Sequence, residues 1–197
     1  MNRLILAASC ALLCSCAFGS RPVDELYVLK AQAHPAGHPL PVSLRVEEPE
    51  AGPGLDTARI AVTDAPNHLT YFNGVAWAQP LPLMLQGFLV DALQQSHAFK
   101  NISSDAEGID ADMLLLTDIR DWQVDKTTAA PGVKIRLVVK LVSAGSHRTI
   151  ASWPIEKTVP AAAYHMPDLV AAFNAAMNEA AADIAQRARS VMARNKR

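Results

Sequence analysis

The sequence has 197 residues and a mass of 21.2 kDa, and half of its residues are hydrophobic while 19% are charged. This composition is typical of one folded domain and excludes an intrinsically disordered chain. Eighteen Lys and Arg residues are balanced by 19 Asp and Glu residues, so the chain lacks the positive field that holds a nucleic acid. We therefore expect no nucleic-acid partner.

The first 20 residues have the layout of a secretory signal peptide. Arg3 supplies a positive charge, an apolar run follows at residues 4–13, and small residues complete the segment. All three cysteines of the chain, Cys10, Cys14 and Cys16, lie here, so the remaining residues contain no disulfide. No later stretch reaches the roughly 18 apolar residues that a membrane-spanning helix needs.

Residues 13–16 read Leu-Cys-Ser-Cys and resemble the bacterial lipobox, in which a cysteine is acylated and becomes the new N-terminus. The resemblance predicts a signal peptide at residues 1–15 and lipid attachment at Cys16. Two alternatives stay open on the sequence alone. One is acylation of Cys10, and the other is a plain signal peptide cleaved near Gly19.

Acyl chains on Cys16 would hold the mature protein on a membrane surface, with residues 16–22 as a tether. The second mature residue is Ala17 and not Asp. In Gram-negative lipoproteins this usually directs export to the outer membrane, so we expect an outer-membrane anchor with the domain on the periplasmic face.

The first half of the mature chain predicts short strands separated by turns. Apolar residues in extended or alternating patterns place these segments at 26–29, 42–48, 58–62 and 69–72. Residues 31–41 are rich in proline and glycine and predict a loop. Asn73 and Gly74 tolerate positive φ and favour a type I′ turn, so we expect a hairpin or tight corner there.

The second half predicts longer elements. Apolar residues three and four positions apart indicate an amphipathic helix over 80–96, with its two prolines in the first turn. Extended segments are expected at 98–102, 113–124, 133–142 and 149–159. The last three of these should form an antiparallel meander, and one change of apolar phase in the first of them indicates a bulge. An alanine-rich helix over 167–193 completes a single domain spanning 23–197, of α+β or mixed α/β class.

Sequence motifs for catalysis are absent, including the nucleophile elbow, the phosphate-binding loop and the zinc-protease helix. His34 and His38 have a spacing suited to metal only on a helix, and the prolines around them favour a solvated loop. The acidic pairs Glu47-Glu48 and Asp118/Asp121 are typical of solvated strand ends. We expect no catalytic residue, metal or cofactor; an envelope hydrolase with an unusual site would need titratable residues converging in a cleft.

Three aromatic residues cluster around the predicted turn: Tyr71, Phe72 and Trp77. One interpretation is that they fill the core beneath the first helix. The other is that they form an exposed contact patch for a protein partner or lipid, because tyrosine and tryptophan are favoured in binding hot spots.

The succession of segments resembles the ABC-type transport auxiliary lipoprotein family, which includes PqiC. The similarity runs from about Tyr27 to Ala188 and rests on the segments LDTARIAV, LTYFNGVAWAQPLPLMLQGFLVDALQQS, ADMLLLTDIRDWQVD, KIRLVVKLVSAGSHRTIASWPIE and VAAFNAAMNEAAADIA. The family usually has Arg before the Trp and Glu after the following Ala, where this chain has Ala76 and Gln79. A tryptophan expected near the end of the last helix is also missing.

This resemblance implies a three-layer α/β/α sandwich on a mixed, partly antiparallel sheet. It also implies a non-enzymatic accessory subunit that docks a periplasmic MCE-domain protein of an ABC-type system moving lipids or organic solutes between envelope membranes. A homo-oligomer is compatible with such an assembly. The alternative function is a lipoprotein that itself binds a lipid or small hydrophobic ligand in an apolar pocket.

Overall fold

A computed structural model describes residues 23–128 and 130–195, which form one mixed sheet and two α-helices. The elements in chain order are β1 (Glu25–Tyr27), β2 (Leu40–Val46), β3 (Glu50–Ala51), β4 (Arg59–Ala65), β5 (His68–Trp77), α1 (Leu81–Ser96), β6 (Phe99–Ser104), β7 (Met113–Asp125), β8 (Gly132–Ser143), β9 (Thr149–Pro160) and α2 (Met166–Asn195). A short 3₁₀ turn at Asp105–Glu107 follows β6. The predicted signal peptide and tether, including Cys16, lie outside the described residues.

Strand β7 is the central strand of the sheet and pairs with four other strands. Along one edge it pairs with β8 in antiparallel register, and β8 pairs with β9, so the predicted meander is confirmed. Along its other edge it pairs in parallel with β2, then β3, then β4. Strand β6 extends the sheet beyond β2, while β5 and β1 extend it beyond β4. One long strand thus joins two branches, and the sheet curls into a half-barrel.

The predicted bulge in β7 is confirmed by a register shift between Ile119 and Asp121. Before the shift the odd-numbered side chains, such as Leu115, face the core, and after it Trp122 and Val124 do so. The extra residue therefore keeps both halves of the strand apolar on the same side of the sheet.

Both helices follow their predicted boundaries closely. Helix α1 begins after Pro80, and its proline at position 82 lies in the first turn, where a missing N–H breaks no helical hydrogen bond. Helix α2 covers β8 and β9, α1 covers β6, and the two helices also pack against each other. Neither described helix is long and apolar enough to cross a membrane.

The three-layer arrangement is not found in the described residues, although the single α/β domain and the mixed sheet are. On β8, Ile135 and Leu137 are fully buried, whereas Lys134, Arg136 and Lys140 on the other face are exposed. A second helical layer would bury these charges at a large free-energy cost, so that face stays in contact with water.

The hairpin expected at Asn73-Gly74 is displaced. The turn between β4 and β5 lies at Pro66 and Asn67, and Asn67 has the positive φ of 59°. Gly74, at φ 77°, instead lies inside β5 at an irregularity, where the register with β4 shifts between Tyr71 and Ala76. The Asn-Gly signal correctly marks a backbone that needs positive φ, but an irregularity within a strand meets that need as well as a turn does.

Candidate functional site

An extended strap, residues 28–39, crosses the molecule between β1 and β2 and is fixed to helix α2. The Asn174 Oδ1 accepts a hydrogen bond from the Lys30 N–H at 2.8 Å, and the Asn178 Oδ1 accepts one from Gln32 at 2.7 Å. Asn178 also donates to the Lys30 carbonyl at 3.2 Å. The two asparagines lie one helical turn apart and hold the strap's backbone as a neighbouring strand would.

The strap contains both histidines that the sequence singled out. The His38 carbonyl accepts a hydrogen bond from the Arg189 guanidinium at 2.6 Å, so this part of the strap is also tied to α2. The described residues contain no cluster of three or more His, Cys, Asp or Glu side chains that could hold a metal ion. His34 and His38 therefore have no further ligand nearby in the described part of the chain.

Trp77, one of the three aromatic residues named as candidate contacts, lies in the core with 1% of its surface exposed. Its ring meets Trp122 edge-on at 6.5 Å and Phe173 edge-on at 5.3 Å, while Trp122 and Phe173 stack at 5.4 Å. For Trp77 the core interpretation is the one that fits, and a surface contact through this side chain is excluded in this fold.

Tyr71 and Phe72 are only partly buried, and each is paired with a further ring or cation. The Tyr71 hydroxyl donates to the Gly54 carbonyl at 3.0 Å, and the Arg59 guanidinium lies 3.7 Å over its ring. Phe72 packs against Tyr164 with ring centroids 5.7 Å apart, and the Lys126 ammonium lies 4.1 Å from the Tyr164 centroid. The structure therefore leaves Tyr71 and Phe72, unlike Trp77, able to reach a partner.

Sequence reasoning missed Arg59, Lys126 and Tyr164 as neighbours of this cluster. They come from β4, from the residue after β7 and from the approach to α2. No spacing along the chain joins them, because only the sheet order brings these segments together.

The outer face of the sheet carries a groove of about 420 Å³. Its apolar part is formed by Leu114, Leu116 and Val138, and its charged part includes Glu48 and Lys140. Such mixed lining suits a wet protein contact better than an acyl chain, which needs an enclosed apolar pocket.

Three of the four carboxylates that the sequence singled out are engaged in ion pairs on this face of the sheet. Glu47 accepts from Arg45 at 2.8 Å, Asp118 pairs with Arg120, and Asp121 accepts from Arg136 at 2.5 Å. Each partner lies on the neighbouring strand or within two residues along the chain. These contacts account for Glu47, Asp118 and Asp121 as sheet-surface ion pairs and not as an acid/base pair facing a substrate, while Glu48 is exposed.

Two aspartates have shifted pKa values, and both shifts have local causes. The pKa of Asp112 is lowered because the Ser43 N–H and hydroxyl donate to its Oδ2 at 2.8 and 2.7 Å. The pKa of Asp64 is lowered chiefly by its hydrogen bond with His68. Both groups lie at exposed strand ends, where such bonds hold neighbouring segments together.

A second groove, of about 540 Å³, lies between β9 and the end of α2. It is lined by Trp153 and by polar side chains that include Asp183, Arg187 and Arg194. Like the groove on the outer face, it is open and charged. Neither groove is the enclosed apolar pocket that the ligand-binding alternative requires.

Comparison with known proteins agrees with this architecture. A crystal structure of a Xanthomonas campestris protein is similar with 24% identity and a TM-score of 0.76, over 87% of this chain and 97% of that one. An uncharacterised protein of known structure follows with 15% identity and a TM-score of 0.64, over 84% and 98%. These likenesses concern the fold alone.

The PelC dodecamer of Paraburkholderia phytofirmans is also similar, with 11% identity over 76% of this chain and 91% of that one in one crystal form. Its TM-score of 0.40 is too low to support an argument about assembly.

No curated protein sequence matches this chain. The model of the ABC-type transport auxiliary lipoprotein component family matches residues 27–185. This chain therefore belongs to that family.

Proposed function

We propose that this protein is an outer-membrane-anchored periplasmic lipoprotein that serves an MCE-type ABC transport system as an accessory subunit. The system would move lipids or organic solutes between the envelope membranes. The observation that carries the proposal is the family match over residues 27–185, preceded by the lipobox-like residues 13–16. Family membership supports a transport auxiliary role, and the MCE partner and the outer membrane are the added steps.

The described surface supports a docking role over a chemical one. Glu47, Asp118 and Asp121 on the outer face are paired with arginines, and the two shifted aspartates are bonded to neighbouring segments. Tyr71 and Phe72 offer partly exposed rings beside the cations Arg59 and Lys126. Aromatic and arginine side chains of this kind are enriched where protein partners bind.

The decisive experiment is an affinity purification of the intact lipoprotein from crosslinked cell envelopes. Mass spectrometry should recover an MCE-domain protein together with its ABC-type transporter. A Tyr71→Ala/Phe72→Ala variant should recover less of the MCE protein, while Leu83→Ala, an exposed apolar residue on α1, serves as the matched control. Recovery of lipid without any protein partner would instead favour the ligand-binding alternative.

Anchoring is tested separately. Cys16→Ala should abolish acylation and release the protein from the outer-membrane fraction, because no described helix can replace the lipid anchor. Acylation that persists in this variant would assign the lipid to another cysteine. Fractionation with the inner membrane would contradict the outer-membrane assignment.

A further inference from the structure

Exposed apolar side chains concentrate where the described chain begins. Seven large hydrophobic residues are exposed in the described residues, and three of them fall within six positions of the start: Val23, Leu26 and Val28. Their exposed fractions are 54%, 65% and 49%. Leu26 and Val28 are two positions apart, so in extended backbone their side chains emerge on the same side. We call these three residues the β1 patch.

The β1 patch belongs to the folded domain. Strand β1 pairs in parallel with β5, with Leu26 opposite Ala76. The Asp24 N–H donates to the Gly74 carbonyl, and the Tyr27 carbonyl accepts from Ala78, both at 2.8 Å. The strap that follows is bonded to α2. The patch therefore has a fixed orientation relative to the domain.

The position of the β1 patch follows from the predicted anchor. Val23 lies only seven positions after Cys16, and a fully extended chain spans at most about 25 Å over that many positions. Acyl chains on Cys16 would therefore keep β1 close to the bilayer surface. Leu83 and Ile109, which are exposed to a similar degree, lie far along the chain from that anchor.

We propose that the β1 patch contacts the lipid surface of the membrane that holds Cys16. This inference rests on the acylation of Cys16 in the proposed function, and it adds an orientation of the domain. Anchoring supplies a high local concentration of lipid, so a small apolar area is sufficient to bias that orientation. The partner is a phospholipid surface that accepts short aliphatic side chains.

The contact is shallow. Asp24, Glu25 and Lys30 are exposed beside the patch, and charged groups remain at the water-facing side of a bilayer. Strand β1 ends the sheet in the described residues, so its outer backbone edge needs water or headgroup partners. The apolar side chains therefore reach the headgroup boundary while the strand itself stays above the hydrocarbon.

The test uses the full acylated lipoprotein in liposomes of phosphatidylethanolamine and phosphatidylglycerol. The mature chain has no cysteine after residue 16, so Leu26→Cys gives a single site for a fluorescent label. Leu83→Cys and Ile109→Cys are matched controls on α1 and on the loop before β7. Acylation and liposome binding are first verified for each protein by mass spectrometry and flotation.

Lipids with a spin label on the headgroup should quench the label at position 26 several-fold more than the labels at 83 and 109. They should also quench it more than lipids labelled near the acyl-chain end. Equal quenching at the three positions would overturn the proposal. So would a label that is shielded from aqueous iodide but not quenched by lipid, because a protein partner or a second copy would then cover β1.

The result is separable from the proposed function. Selective quenching at position 26 without recovery of an MCE-domain protein would leave the lipid contact standing and remove the transport partner. Recovery of that partner with equal quenching at all three positions would support the transport role and overturn the lipid contact. Absence of acylation from Cys16 would remove the premise and overturn this inference directly.

Discussion

The two faces of β7 differ in what covers them. On the inner face Leu115 and Ile119 are almost completely buried beneath the helices, and the Trp77–Trp122–Phe173 cluster extends the same layer. On the outer face Leu116 is only partly buried, among ion-paired side chains. One strand thus serves a dry core with one set of side chains and a wet surface with the other.

Stability and recognition therefore lie on different faces of the sheet. Apolar burial contributes about 25 cal/mol per Å², so the inner face supplies most of the free energy of folding. Exposed ion pairs contribute roughly 0–1 kcal/mol each, so substitutions of charged residues on the outer face should change the free energy of unfolding little. Stability and partner binding should therefore respond to different substitutions.

The largest effect is expected from Phe173→Ala, which removes the ring that packs against both Trp77 and Trp122. Loss of a fully buried phenylalanine should lower the free energy of unfolding by about 3–5 kcal/mol. Urea denaturation of the non-acylated Cys16→Ala protein measures it. Phe72→Ala, with a partly buried ring, is the control and should cost about 1 kcal/mol. Equal losses would show that the two aromatic clusters do not differ as the structure indicates.

Leu115 and Leu116 are neighbours on β7 whose side chains lie on opposite faces of the sheet. Leu115→Ala should lower the free energy of unfolding by about 2–5 kcal/mol, because a cavity remains beneath the helices. Leu116→Ala should cost about 1 kcal/mol or less, because its side chain faces the open groove. Denaturant midpoints of the two variants provide the measurement. A larger loss at Leu116 would mean that the outer face is covered by something that the described residues do not include.

The sequence predicts the inner face well and the outer face poorly, and the reason is physical. Alternation in 133–142 and the phase change in 113–124 are local signals of burial, so the meander and the bulge were correctly predicted. The three-layer sandwich came from the family resemblance and was not found in the described residues. The exposed lysines on β8 keep one face of that strand in contact with water.

The candidate site likewise depends on contacts between residues that are far apart in the sequence. Trp77 and Phe72 have similar sequence surroundings, yet one is in the core and the other reaches the surface. The difference depends on Phe173, in α2, and on Tyr164, just before α2, both of which lie about 90 residues later in the chain. Likewise, Asn174 and Asn178 read as ordinary polar helix residues. Their role in binding the strap is visible only once Lys30 and Gln32 are placed beside them.

The strap offers an intermediate case, because its attachment is polar but largely sheltered from water. Asn178→Ala removes the acceptor for Gln32 and the donor to Lys30, and it should lower the free energy of unfolding by about 1–3 kcal/mol. The Gln32 amide should also exchange faster with solvent, as hydrogen-exchange mass spectrometry would detect. Asn174→Ala, which removes one exposed bond, should have the smaller effect on both measurements. Unchanged exchange at Gln32 would contradict the attachment.

The smallest effect concerns Asp112, an exposed carboxylate that ties the start of β7 to Ser43 on β2. Hydrogen bonds from Ser43 lower the pKa of Asp112 in the folded state. The ionised carboxylate therefore stabilises the folded protein above the unfolded pKa of about 4, and this stabilisation is lost as the pH falls through the folded pKa. Asp112→Asn should therefore cost about 1 kcal/mol or less at pH 7, since solvent screens the contact, and the difference from the unsubstituted protein should shrink in acid. Asp110→Asn, on the same loop, is the control for net charge. Denaturation at neutral and acidic pH checks this. A difference in the free energy of unfolding that grows in acid would contradict this pH dependence. Leu115→Ala should lower the free energy of unfolding equally at both pH values, because burial of its side chain involves no proton.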